Sequence, residues 1–147
     1  MSKSDVPSPE AAILIIEDDD VTATELQNGL LGAGYVVRRA GSADEAMGAL
    51  KSTRADLILM NLMLPDTDGL ILCSTLRATF PAPIILLSGR AGEVDRALAR
   101  ESGAVDLLTT PVDLNDLLVR VKGVVQDQRS AVSGQRSAVR MTPRPDR

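Results

Sequence analysis

Five short apolar runs punctuate the chain: ILII at 13–16, VV at 36–37, LILM at 57–60, IILL at 84–87 and VDLL at 105–108. They are mostly continuous rather than alternating, the pattern of strands covered on both faces, as in a parallel sheet. A strand with one wet face would alternate apolar and polar positions. Segments of helical length and composition follow each run, at 20–32, 42–52, 69–79, 93–102 and 113–126. The predicted order is therefore (βα)5.

The punctuation agrees with that order. Ser42 with Glu45 predicts a capping box, Asp113 is placed to cap the last helix, and Gly32, Gly34 and Gly103 fall where helices should stop. Leu114, Leu117, Leu118, Val121, Val124 and Val125 recur on one face of the last helix and predict a docking stripe. Short βα links imply right-handed crossovers and one doubly wound α/β sheet of five parallel strands. In such a sheet the loops at the carboxyl ends of the strands form the functional edge.

Composition narrows the function classes. A chain of 147 residues has room for one domain with a real core, and with Tyr35 and Phe80 its only aromatic residues that core must be aliphatic. A single cysteine, Cys73, forms no internal disulfide, and the start MSKSDVPSPE lacks an apolar signal region, so a reducing, cytoplasmic setting is expected. No stretch approaches the roughly 18 apolar residues that cross a bilayer, so no membrane contact is expected. The net charge of -4 argues against the whole chain binding nucleic acid, and the absence of histidine removes that residue as base, metal ligand or phosphocarrier. The expected organisation is a flexible start at 1–11, one domain at 12–126, and a basic linker or tail at 127–147. That tail carries five arginines, two aspartates and a near repeat, QRSAV at 128–132 and 135–139. The seven-residue spacing of the repeat leaves open a helix that continues from the fifth.

Chemistry-bearing residues gather where strands end. The first run meets Glu17, Asp18, Asp19 and Asp20; the third ends at Asn61, the fourth at Ser88, and the fifth at Thr110 and Pro111. Read alone, Glu17 and Asp18 also suit a helix entry, where carboxylates meet free amides and the positive end of the dipole. Asn61 read alone is a loop cap working through side-chain-to-backbone bonds. Taken together, "ILIIEDDD", "DLILMNLMLPDTDG" and "PIILLSGRAGEVDRALARESGAVDLLTTPVD" resemble the receiver domain of two-component response regulators, the CheY-like fold, and are most similar to receivers of the winged-helix transcription-factor class. The resemblance spans about residues 12–126.

The resemblance implies a signalling domain rather than an enzyme, with a phosphoacceptor aspartate at the end of the third strand. It also implies Mg2+ on an acidic pair, a hydroxyl after the fourth strand, a lysine after the fifth, and an inward-swinging aromatic on the fifth. Glu17, Asp18 and Ser88 match that pattern, whereas Asn61 stands at the phosphoacceptor position, Thr110 at the lysine and Leu107 at the aromatic. A cis bond before Pro111 is also implied. An amide oxygen is a poor nucleophile, and without the lysine no fixed cation stabilises charge on a transferring phosphoryl group. The expected function is that of an atypical receiver acting by phosphorylation-independent protein contacts, in the setting of transcription regulation. No cofactor is required, and only a weak Mg2+ set is expected: Asp18, Asn61 and the carbonyl of Met63.

For partners, the resemblance implies a homodimer through the fourth helix, fifth strand and fifth helix, with Arg96 facing Asp116 and Asp106 facing Arg120. In a third pair Ser102 replaces the acid that would meet Lys122. Leu98, Leu107, Leu118 and Val119 are expected to supply the apolar part of that face. A histidine kinase or an effector domain is the other expected partner. Two alternatives stand beside this reading: a switch responding to Mg2+ or a small phosphorylated metabolite, and the amino-terminal part of a longer DNA-binding regulator.

Overall fold

The structure, a computed structural model, describes residues 11–133, with side chains described through Gln128. The elements run β1 (Ala12–Ile16), α1 (Asp20–Gly32), β2 (Val36–Ala40), α2 (Ala43–Ser52), β3 (Leu57–Asn61), α3 (Gly69–Thr79), β4 (Ile84–Ser88), α4 (Glu93–Glu101), β5 (Asp106–Thr109) and α5 (Leu114–Ser133). The five strands form one parallel sheet in the order β2-β1-β3-β4-β5.

The continuous apolar runs follow from that layering. Successive side chains of a strand point to opposite faces. Leu14, Ile16, Ile58, Met60, Ile84, Leu86 and Leu107 enter one buried cluster with Leu50, Leu72 and Leu76 of α2 and α3. Ile13, Ile15, Leu57, Leu59, Ile85, Leu87 and Leu108 enter the other, with Leu26 and Leu30 of α1 and Leu117, Val121 and Val125 of α5. Each run fills two cores at once, so alternation has nowhere to appear. The edge strand β2 departs from this rule and extends to Ala40, past the apolar pair at 36–37. Its Arg38 and Arg39 stay in the strand because their guanidinium groups reach carbonyls at its flanks: Arg38 donates to Thr53 O at 3.2 Å and Arg39 to Glu17 O at 3.0 Å.

Four of the five helix entries, those of α1, α2, α3 and α5, are set by short acceptor side chains. Asp19, Ser42 and Asp68 accept from the backbone N–H of Thr22, Glu45 and Leu70, and Asp113 accepts from Asp116 N at 3.2 Å. The predicted box at α2 closes one residue early, since Glu45 accepts from Gly41 N at 2.7 Å rather than from Ser42 N. Gly34 and Gly103 adopt φ of 97° and 101°, the left-handed turn in which a side chain is strained. Along α5 the stripe docks as expected at Leu117, Val121 and Val125. Leu114 is half-exposed yet occupies the space beside Gly29 on α1, where an added Cβ would overlap its side chain. The fifth helix continues past its expected end at 126 to Ser133, in line with the alternative read from the QRSAV spacing. The rest of the expected tail, 134–147, and residues 1–10 of the expected flexible start lie outside the described residues.

Candidate functional site

Parallel register brings the strand tips to one edge. Ile16 lies opposite Met60, Asn61 opposite Leu87 and Ser88 opposite Thr109, so Glu17, Asn61, Ser88 and Thr110 emerge side by side. The order β1-β3-β4 puts Asn61 between the acidic tip and the hydroxyl tip.

Asn61 is held at both ends of its amide. Its Nδ2 donates to both oxygens of Glu17, Oε1 at 3.1 Å and Oε2 at 3.0 Å, and its Oδ1 accepts from Met63 N at 2.9 Å. The amide orientation follows from its neighbours, because a carboxylate only accepts and a backbone N–H only donates. Glu17 is buried at 2% exposure, and its Oε2 also accepts from Asp19 N at 3.0 Å. The acidic run thus divides. Glu17 turns into the pocket, Asp18 stands exposed at the rim, Asp19 caps α1, and Asp20 pairs with Arg39 at 2.7 Å. The Thr22 hydroxyl and N–H hold the Asp19 carboxyl below the usual carboxylate range.

The other tips are tied locally. Ser88 is buried; its Oγ accepts from Arg90 N at 3.0 Å and its carbonyl accepts from Thr110 N at 2.8 Å. Thr110 precedes Pro111 through a cis peptide bond. Leu107 is 2% exposed and packs in the core cluster, so it does not add to a surface patch as expected from sequence.

The loop after Asn61 is fixed by contacts that the sequence reading did not anticipate. Leu62 N donates to Leu87 O at 2.8 Å, Gly69 N to Leu62 O at 2.9 Å, and Met63 bridges Asp68. Gly69 has no room for a side chain, since a Cβ there would lie 2.7 Å from Leu62 Cα. Asp66 crosses to α2 and accepts from Ala43 N at 3.0 Å and Asp44 N at 3.3 Å. Ala43 N–H, more than Asp44 N–H, holds the Asp66 carboxyl below its ordinary value. The available signal for this contact was a spare aspartate in PDTDG and a helix with amides left over after Ser42 had bound one.

Mg2+ takes hard oxygen ligands in octahedral geometry, and the pocket does not fit it. Both Glu17 oxygens accept from an amide, the one side-chain oxygen of Asn61 accepts from Met63 N, and the Nδ2 hydrogens face the carboxylate that a cation would approach. Among the described residues no group of three His, Cys, Asp or Glu side chains is placed to hold a metal ion. Of the expected weak set, Asp18 stands exposed at the rim, and Asn61 Oδ1 accepts from the Met63 amide N–H rather than meeting its carbonyl.

On the α4–β5–α5 side, Arg120 binds two acids of its own chain, Asp106 at 2.6 Å and Asp116 at 3.0 Å, and both raise its pKa. Arg96 does not meet Asp116 within the chain. It donates to Ala91 O at 3.2 Å and to Leu107 O at 3.0 Å. Ser102 is buried and donates to Ala99 O at 2.7 Å, which withdraws it from the surface where a partner for Lys122 was sought. Leu98, Val94 and Val119 are exposed on this side.

A doubly wound parallel sheet that converges an acidic tip, an amide and a hydroxyl at the carboxyl edge of β1, β3 and β4 defines a receiver-type signalling domain. Residues 13–122 match the family model described as response regulator receiver domain, and the chain belongs to that family. It is 37% identical over 115 residues to the transcriptional regulatory protein AfsQ1 of Streptomyces coelicolor, covering 78% of this chain and 51% of that protein. It is 38% identical over 113 residues to the TorCAD operon transcriptional regulatory protein TorR of Escherichia coli, covering 77% and 49%. The chain thus spans about half the length of these curated relatives. Its fold superimposes on the receiver domain of the TMAO respiratory system response regulator TorR with a TM-score of 0.75, at 37% identity over 80% of this chain and 98% of that one. A two-component response regulator from Clostridium difficile gives 0.77 at 30% identity over 80% and 97%. Among the described residues no helix is long and apolar enough to cross a membrane.

Proposed function

We propose that this receiver domain signals through protein contacts without aspartyl phosphorylation, as a constitutive module of a two-component-type pathway in transcription regulation. The observation that carries the reading is the Asn61 side chain: an amide stands at the β3 tip, and both of its ends are spent on Glu17 and Met63. No carboxylate is presented there to accept a phosphoryl group, and Thr110 supplies no cation opposite it. Supporting a fixed state, Leu107 is locked in the core and Arg96 ties α4 to the Leu107 carbonyl.

The contact surface proposed is the α4–β5–α5 face, used by two copies in an isologous dimer. The apolar residues Val94, Leu98 and Val119 support it, and Arg120, held between Asp106 and Asp116, fixes the charge pattern beside them. Exposed ion pairs contribute only about 0–1 kcal/mol each, so the apolar residues must supply most of the association. A histidine kinase is the partner proposed on the input side, and the cytoplasm is the proposed setting. A second reading joins the domain to a DNA-binding effector. It is supported by the relatives, which are transcriptional regulators about twice as long as the matched stretch. The downstream coding frame tests that reading directly.

Two measurements test the first reading. Intact-mass spectrometry after acetyl phosphate or a kinase is expected to show no adduct on the wild type and slow labelling of Asn61→Asp with Thr110→Lys. A wild-type adduct would overturn it. Sedimentation is expected to show a dimer that Val119→Glu and Arg120→Asp both dissociate. A monomer, or a dimer indifferent to both changes, would remove this surface.

A further inference from the structure

The pocket carries an electrostatic problem and a local answer to it. Glu17 is buried at 2% exposure, and among the described residues no cationic side chain forms a salt bridge with it. A carboxylate taken out of water without compensation is costly. Both of its oxygens face the tip of β3 at 3.0–3.1 Å. A second carboxylate at that tip would put two anions in contact, an arrangement that is costly unless a cation lies between them or one of them is protonated. Here the facing atom is a donor. The Asn61 Nδ2 supplies partial positive charge to both oxygens, and Oδ1 is anchored by Met63 N, so the group cannot turn its oxygen toward Glu17 without losing that bond as well.

We propose that the Asn61 carboxamide is a built-in substitute for a divalent cation: it bridges the β3 tip to buried Glu17, so the pocket is complete without metal and indifferent to Mg2+. The inference deepens the phosphorylation-independent reading by saying why the amide suits this pocket. A neutral donor satisfies Glu17 permanently, whereas a carboxylate at 61 would satisfy it only through a bound ion. The requirement for metal is therefore created or abolished by one atom, the nitrogen of residue 61.

The test is thermal unfolding of the full chain, followed by far-UV circular dichroism in EDTA and across a millimolar MgCl2 titration, with CaCl2 as control. Wild type is expected to melt at the same temperature throughout. Asn61→Asp is expected to melt about 10 °C lower than wild type in EDTA and to regain most of that loss saturably with Mg2+. Asn61→Leu removes the donor without adding charge. It is expected to fall less than Asn61→Asp in EDTA and to ignore Mg2+. Saturable stabilisation of wild type by Mg2+ would overturn the proposal. So would an Asn61→Asp variant as stable as wild type in EDTA, or one that fails to fold in both buffers while Asn61→Leu folds. Folding of Asn61→Asp with Mg2+ alone would support it. The outcome separates from that of the phosphorylation reading: a wild-type phosphoryl adduct with no Mg2+ response defeats only that reading, and an Mg2+ response without an adduct defeats only this one.

Discussion

Replacing Asn61 with alanine should cost this domain far more than its half-exposed position implies. The change removes both amide bonds to Glu17, at 3.1 and 3.0 Å, and the acceptor for Met63 N at 2.9 Å. Glu17 keeps one backbone donor, Asp19 N, and remains buried. Leaving a buried acceptor short of its partner costs about 1–3 kcal/mol, and more when it is charged. Because one donor survives and the Asn61 position is partly exposed to water, we expect about 2–3 kcal/mol, a substantial share of a domain stability of roughly 5–15 kcal/mol. With a urea m-value of about 1–3 kcal/mol/M the unfolding midpoint should fall by about 0.7–3 M. The chain has no tryptophan and one tyrosine, so far-UV circular dichroism is the suitable probe. The same change in a Glu17→Gln background should cost at least about 1 kcal/mol less, since a neutral side chain tolerates the loss better. An Asn61→Ala cost within about 0.5 kcal/mol of zero, or an equal cost in both backgrounds, would refute the bridge as a stabilising contact.

Three further outcomes follow from neighbouring contacts. Gly69→Ala should destabilise by about 1–3 kcal/mol, because the new Cβ meets the Leu62 backbone, which has little freedom to yield; urea unfolding measures it, and a neutral result would show that the loop after β3 is looser than its bonds indicate. Asp66 has a folded-state pKa below its ordinary value, so its contribution is present above the unfolded pKa and lost as pH falls through the folded one; Asp66→Asn should flatten the acid limb of the stability-versus-pH curve, and an unchanged limb would remove the cap from the account. Burial raises the Cys73 thiol pKa, and the native protein should label with a thiol reagent only at its opening rate; rapid labelling near neutral pH would contradict the packing of α3.

The order of strands and helices was written in the sequence because periodicity and capping act over a few residues. Continuous apolar runs at 13–16, 57–60 and 84–87 are what two-sided burial demands, and Asp19, Ser42 and Asp68 cap helices within three positions of themselves. The strand tips that build the site were legible for the same reason, since a run has only one carboxyl end. Which atoms meet at that edge was decided by the tertiary structure. Nothing local distinguishes Glu17 from Asp18, yet one is buried against Asn61 and the other is exposed, because the tip of β3, distant in sequence, offers its amide donor to Glu17. Arg120 binds two acids at once, and Arg96 takes backbone carbonyls in place of Asp116, since a guanidinium has five donors and settles where acceptors converge. Asp66 reaches α2 across 23 residues of chain, and Gly69 matters only because the Leu62 backbone passes beside it. Partners distant in sequence are chosen by the packing of the whole sheet, and a one-dimensional pattern carries no distance between them.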